Sequence, residues 1–170
     1  SATTTDANGC IFVLSATVTS TGGGTASIQS SSNVSCNGGN NGNATATMTG
    51  GTPNYTYLWS NGQITSTATG LIFGTYTVTV TDAIGCITTQ TLTITEPALL
   101  TASATTTNIA CFGFNDGTGT VSAAGGTGTY TYAWSPSGGN SSAASNLSPG
   151  NYTVIVTDAN GCTNTNTITL

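Results

Sequence analysis

Gly74-Thr75-Tyr76-Thr77-Val78-Thr79-Val80-Thr81-Asp82-Ala83-Ile84-Gly85-Cys86 returns, with few changes, as Gly150-Asn151-Tyr152-Thr153-Val154-Ile155-Val156-Thr157-Asp158-Ala159-Asn160-Gly161-Cys162. Tyr76, Val78 and Val80 fall on one side of an extended chain and the threonines on the other, the period of two expected of a strand half buried against a core. The strand ends at Asp82. Asp caps a turn through its own side chain and Gly85 accepts a positive φ, so a tight hairpin leads into a last strand running from Cys86 to Thr95.

The turn motif Thr-Asp-Ala-x-Gly-Cys also occurs from Thr5 to Cys10, and its three copies, beginning at Thr5, Thr81 and Thr157, are evenly spaced. Such a period is too long for a helical solenoid and suits one small β-sandwich per unit. Upstream of the strand, Gly50-Gly51-Thr52 and Tyr55-Thr56-Tyr57-Leu58-Trp59-Ser60 match Gly125-Gly126-Thr127 and Tyr130-Thr131-Tyr132-Ala133-Trp134-Ser135 at one constant offset. No helical period interrupts the alternating runs, and turn signals recur at the short, regular intervals of a sandwich. The expected fold is all-β: tandem immunoglobulin-like sandwiches, each stapled by one disulfide. Pro97 after Glu96 marks a boundary, giving residues 1–20 as the C-terminal remnant of a preceding repeat, 21–96 as one sandwich and 97–170 as another. Strand order stays open.

Composition removes whole classes of function. The chain has no Lys, Arg or His and five carboxylates, Asp6, Asp82, Glu96, Asp116 and Asp158. Without cations it cannot neutralise phosphates, which argues against nucleic acid and against anionic lipid surfaces. No apolar run is long enough for a membrane helix. Catalysis lacks a base, an acid and an oxyanion clamp, since Ser and Thr have no activating partner; no enzyme activity and no cofactor are expected.

The five cysteines, Cys10, Cys36, Cys86, Cys111 and Cys162, alternate between short and long spacings. Two pairings suit that rhythm. One joins Cys36 to Cys86 and Cys111 to Cys162, leaving Cys10 for a partner upstream of residue 1. The other joins Cys10 to Cys36 and Cys86 to Cys111. The first is preferred because a bridge inside each sandwich closes a loop of about 50 residues and should stabilise it by about 4 kcal/mol. Isolated cysteines without His or CxxC spacing argue against a metal site. Oxidised cysteines imply an exterior compartment.

Tyr55, Tyr57 and Trp59, like Tyr130, Tyr132 and Trp134, form a stripe along one strand face. The tryptophans are expected in the core, with Tyr55, Tyr57, Tyr130 and Tyr132 at its margin as candidate contacts for a glycan. Asp82, Asp116 and Asp158 are weak calcium candidates, because two Asp per repeat fall short of the six or more oxygens calcium prefers; turn capping accounts better for the motif.

The pattern of Cys, then Gly-Gly-Thr-x-x-Tyr-Thr-Tyr-x-Trp-Ser, then Leu-x-x-Gly-x-Tyr-Thr-Val-x-Val-Thr-Asp-Ala-x-Gly-Cys resembles the SprB repeat of surface adhesins from gliding Bacteroidota, and its Tyr-Thr-Val-x-Val-Thr-Asp stretch is similar to the PKD domain. The resemblance implies a large, repetitive protein of the bacterial cell surface, exported by the type IX route and engaged in attachment or gliding. Expected partners are neighbouring repeats of the same polypeptide, surface polysaccharide or other glycans, and further copies in a fibre.

Overall fold

Each alternating stretch is a strand. The computed structural model describes residues 2–5, 7–8, 11–14, 22–111 and 113–170. Among these, β1 (Ala2–Thr5) and β2 (Ile11–Leu14) pair as a hairpin. Its register, from Ala2 opposite Leu14 to Thr5 opposite Ile11, is repeated one period later from Val78 opposite Gln90 to Thr81 opposite Ile87. Cys10, and with it the expectation of an upstream partner, lies outside the described residues, as do residues 15–20 of the expected remnant.

The first sandwich contains β3 (Thr25–Ser32), β4 (Gly42–Thr49), β5 (Thr56–Trp59), β6 (Thr67–Leu71), β7 (Gly74–Thr81) and β8 (Ile87–Ile94). The second repeats them as β9 (Thr101–Thr107), β10 (Gly117–Ala124), β11 (Thr131–Ser135), β12 (Ala143–Leu147), β13 (Asn151–Thr157) and β14 (Thr163–Thr169). One antiparallel sheet of the first runs β3-β4-β6 and the other β5-β7-β8; the second has β9-β10-β12 and β11-β13-β14. The first two strands and the fourth thus face the third, fifth and sixth, the division between sheets found in immunoglobulin folds. This supplies the strand order that periodicity alone left open.

The cores follow from the alternation. Trp59 is 1% exposed and packs with Leu71, Val78, Val80 and Ile94; Trp134 packs with Leu147, Val154, Val156 and Ile168. Each indole keeps a polar partner, Trp59 Nε1 donating to the Thr65 carbonyl and Trp134 Nε1 to that of Ser141, both at 2.9 Å. At the start of the central strand the Tyr76 hydroxyl donates back to the Ile72 carbonyl, and the Tyr152 hydroxyl to that of Ser148, each at 3.1 Å. These are tyrosine corners, which pin the chain where it crosses between sheets. Outside, threonine meets threonine across strands, as at Thr77 with Thr91 at 3.2 Å and Thr45 with Thr67 at 3.0 Å. Paired hydroxyls thus line surfaces where lysine and glutamate are commonly found.

Candidate functional site: the bridged joint between the sandwiches

Each sandwich has an entry end, where its first strand begins, and an exit end, where its last strand leaves. At the entry end of the first, the Asp82 turn meets Gly50-Gly51-Thr52. Asp82 is buried, and its carboxylate accepts N–H bonds from Thr52 at 3.0 Å, Ile84 at 3.1 Å and Cys86 at 2.8 Å. Asp158 accepts from Thr127, Asn160 and Cys162, each at 2.9 Å. Gly51 is glycine because φ is 69° and a Cβ would lie 2.9 Å from Asp82 Oδ2. The turn-capping expectation holds, and the Gly-Gly-Thr motif acquires a reason: it brings a backbone N–H to a carboxylate 30 residues away.

Hydrogen bonding determines the charge state. For Asp82 the bond from Thr52 is the largest influence and, with those from Cys86, Ile84 and Gly85, outweighs burial to hold the carboxyl below the usual range. For Asp158 burial is the largest single influence and pushes upward, but the bonds from Cys162, Thr127, Asn160 and Gly161 together exceed it, so the net direction is again down. Both carboxylates are therefore ionised anchors that preset the loops carrying Cys86 and Cys162.

The exit end of the first sandwich carries Cys36. Val34 N–H donates to the Thr95 carbonyl at 3.0 Å, Thr95 N–H to Asn33 Oδ1 at 3.0 Å, and Asn37 Nδ2 to the Pro97 carbonyl at 3.1 Å, tying the Cys36 loop to the chain as it leaves β8. Gly38 N–H donates to Glu96 Oε2 at 2.6 Å. Onto this loop the entry end of the second sandwich docks. Cys162 forms a disulfide with Cys36, with Cα atoms 5.7 Å apart, and Asn160 Nδ2 donates to the Ser35 carbonyl at 2.9 Å.

That bridge corrects the expected pairing within each sandwich. Cys86 immediately precedes β8, whereas Cys36 lies beside its end. At about 3.3 Å per residue they are roughly 30 Å apart, against the roughly 7 Å limit of a disulfide's Cα separation. Cys111 and Cys162 are likewise at opposite ends of β14, for Cys111 lies with Leu170 and Pro149. The pairing Cys36–Cys86 with Cys111–Cys162 is replaced by Cys36–Cys162, and each sandwich lacks the internal staple expected of it. The other scheme fails too, since Cys36 is taken and Cys86 and Cys111 are both free thiols.

The remaining candidates are dispersed. Asp116 accepts the Ala110 N–H at 3.2 Å at the exit end of the second sandwich, while Asp158 sits at its entry end and Asp82 in the other sandwich. Among the described residues no three His, Cys, Asp or Glu side chains gather as a metal site. Tyr55, Tyr57, Tyr130 and Tyr132 are half buried against the two cores, and the hydroxyls of Tyr55 and Tyr130 donate to the Gly50 carbonyl at 2.9 Å and the Gly125 carbonyl at 2.6 Å. The joint itself, with Ser35, Asn160 and Glu96, escaped sequence reasoning. A usable signal was the position of each cysteine relative to its strand, one after the first and one before the last.

The family model of the SprB repeat matches residues 28–64 and 103–139. No curated protein matches the chain. A solved structure titled "Structural basis for Dscam isoform specificity" is similar at 14% identity and a TM-score of 0.33, covering 82% of this chain and 42% of that one.

Proposed function

From the SprB repeats that this chain carries at two places, we propose that it is a stretch of stalk from an extracellular bacterial adhesin, in which sandwich domains of residues 21–96 and 97–170 are set in series to hold a surface-binding region away from the cell. The observation that carries this reading is the Cys36–Cys162 bridge, which ties the exit end of one sandwich to the entry end of the next. A joint held by a peptide link and a disulfide resists bending and local opening better than a single flexible linker. Protease resistance fits the same role, because a chain without Lys or Arg offers no site to trypsin-like enzymes. Attachment and gliding belong to the parent protein in this proposal, and these units supply length.

Small-angle scattering tests the serial arrangement. Two sandwiches end to end give a maximum dimension about twice that of one, whereas a side-by-side pair gives a compact particle and refutes the stalk. Display of the chain between a cell anchor and a known binding domain tests the function: reach to an immobilised ligand should grow with the number of units.

A further inference from the structure

The bridge uses one cysteine from each sandwich and leaves the other two, Cys86 and Cys111, as free thiols. Their positions are not arbitrary. Cys111 occupies in the second sandwich the place of Cys36 in the first: the two are related by the same offset as Trp59 and Trp134, and the loop ahead of each is capped alike, Asn41 Oδ1 accepting Ser35 N–H and Asp116 Oδ1 accepting Ala110 N–H. Cys86 occupies the place of Cys162, with its N–H on Asp82 as that of Cys162 is on Asp158. Cys111 is exposed beside an apolar recess lined by Ile109, Pro149 and Leu170. Cys86 is partly exposed beside Ile84, which is 59% exposed where Asn160 touches the neighbouring sandwich. The two thiols face away from the joint at opposite ends of the pair, so they cannot meet in one copy.

We propose that Cys111 and Cys86 are the open halves of further joints of the same kind, Cys111 receiving the Thr-Asp-Ala-x-Gly-Cys cysteine of a following repeat and Cys86 bonding the Cys36-type cysteine of a preceding one. The occupant of each end is another repeat unit, because the equivalent end of the first sandwich is covered by one. The contact made by Asn160 is to a backbone carbonyl, which Ala110 supplies as well as Ser35. Each bridge forms one S–S bond from two S–H groups, losing two protons and two electrons. A disulfide oxidant takes up the electrons and is reduced to two thiols.

Repeated along an array, this staggered ladder creates two covalent routes through every unit. One enters along the first strand and crosses by the Cys36-type sulfur into the next unit; the other arrives through the Cys162-type sulfur and leaves along the last strand. In the second sandwich these are β9 and β14, which run the same way and are stitched by Asn164 Nδ2 to the Leu100 carbonyl at 3.1 Å and Asn166 Nδ2 to the Ala102 carbonyl at 3.0 Å. The residues between Cys111 and Cys162, which include the Trp134 strand and the tyrosine corner, then lie off both load paths.

The proposal rests on the serial reading above, and its test separates the two. The whole chain is extended by a second copy of residues 97–170 after Leu170, with Cys111→Ser in that copy alone, oxidised in a glutathione redox buffer, alkylated and mapped without reduction. The expected result is Cys111 joined to the added copy of Cys162, alongside Cys36–Cys162. Alkylated Cys111, or Cys111 joined elsewhere, overturns the ladder wherever Cys36–Cys162 has formed. A second polypeptide, with a copy of residues 22–96 placed ahead of residues 22–170, asks the same of Cys86, whose expected partner is the added copy of Cys36. Electron microscopy of both reports the array independently: units in line with free thiols refute the ladder alone, and a collapsed particle refutes the serial arrangement.

Discussion

Reducing the Cys36–Cys162 bridge should release a large, calculable length when the chain is pulled by its two ends. In the oxidised molecule force passes from the N-terminal segment to Cys36, through the disulfide to Cys162, and out along β14 to Leu170. Everything between is shielded. The bridged residues are 126 apart in sequence, so at about 3.6 Å per extended residue the shielded length is about 450 Å. Single-molecule force spectroscopy reads this directly: full extension should increase by about 450 Å when a reductant is added, and Cys36→Ser should behave as the reduced form from the start. Bridges inside the sandwiches would shield two segments of about 50 residues and release about 360 Å, a difference the method resolves. A gain near that smaller value, or unchanged extension on reduction, would refute the joint and with it the covalent series.

Four further outcomes follow from individual contacts. Tyr152→Phe removes the donor to the Ser148 carbonyl at a position only 5% exposed and should destabilise the second sandwich by about 1 kcal/mol, with Tyr76→Phe milder because that ring is only partly buried; urea titration measures both. Trp59→Ala empties the middle of the first core and should lower stability by about 3 to 5 kcal/mol in the same assay. Asp82→Ala strands the Thr52, Ile84 and Cys86 N–H groups and should lower the melting temperature more than Asp82→Asn, which keeps one acceptor oxygen. Depressed native pKa values for Asp82 and Asp158 mean that, below the unfolded value near about 4, the unfolded chain binds more protons than the folded one. Their contribution is complete above that pH and lost as pH falls through the native values, so melting temperature should be level from pH 5 to 8 and drop in stronger acid.

The all-β class, the half-buried central strand, the core tryptophans and the capped turn were legible because each rests on local chemistry: alternation, indole size, and a carboxylate followed by glycine. The disulfides were not, for a reason peculiar to repeats. A cysteine after the first strand and one before the last recur in every period, so bonding within a unit and bonding to the next unit differ by one whole period and keep the same rhythm. The stabilisation a staple would give each sandwich favours bonding within the unit, and that preference misled. Strand length decides otherwise, since β8 holds Cys36 and Cys86 at its two ends. Gly-Gly-Thr was visible as a motif but not as a partner of Asp82, because its role depends on two loops that meet only when both sheets have formed.

The absence of lysine and arginine has its counterpart in where the fold obtains its cohesion. Conventional ion pairs cannot form without basic side chains, so cohesion rests on buried Trp, Val and Leu side chains, on carboxylates held by backbone N–H groups, on hydroxyl pairs across strands, and on a disulfide at the joint. None of these depends on long-range charge, and the short-range bonds of a buried carboxylate are screened far less than surface pairs. Unfolding midpoints between about 0.05 M and about 0.5 M sodium chloride should therefore coincide. The Cys36–Cys162 disulfide that joins the two sandwiches is itself a bond to which the surrounding ions do not matter.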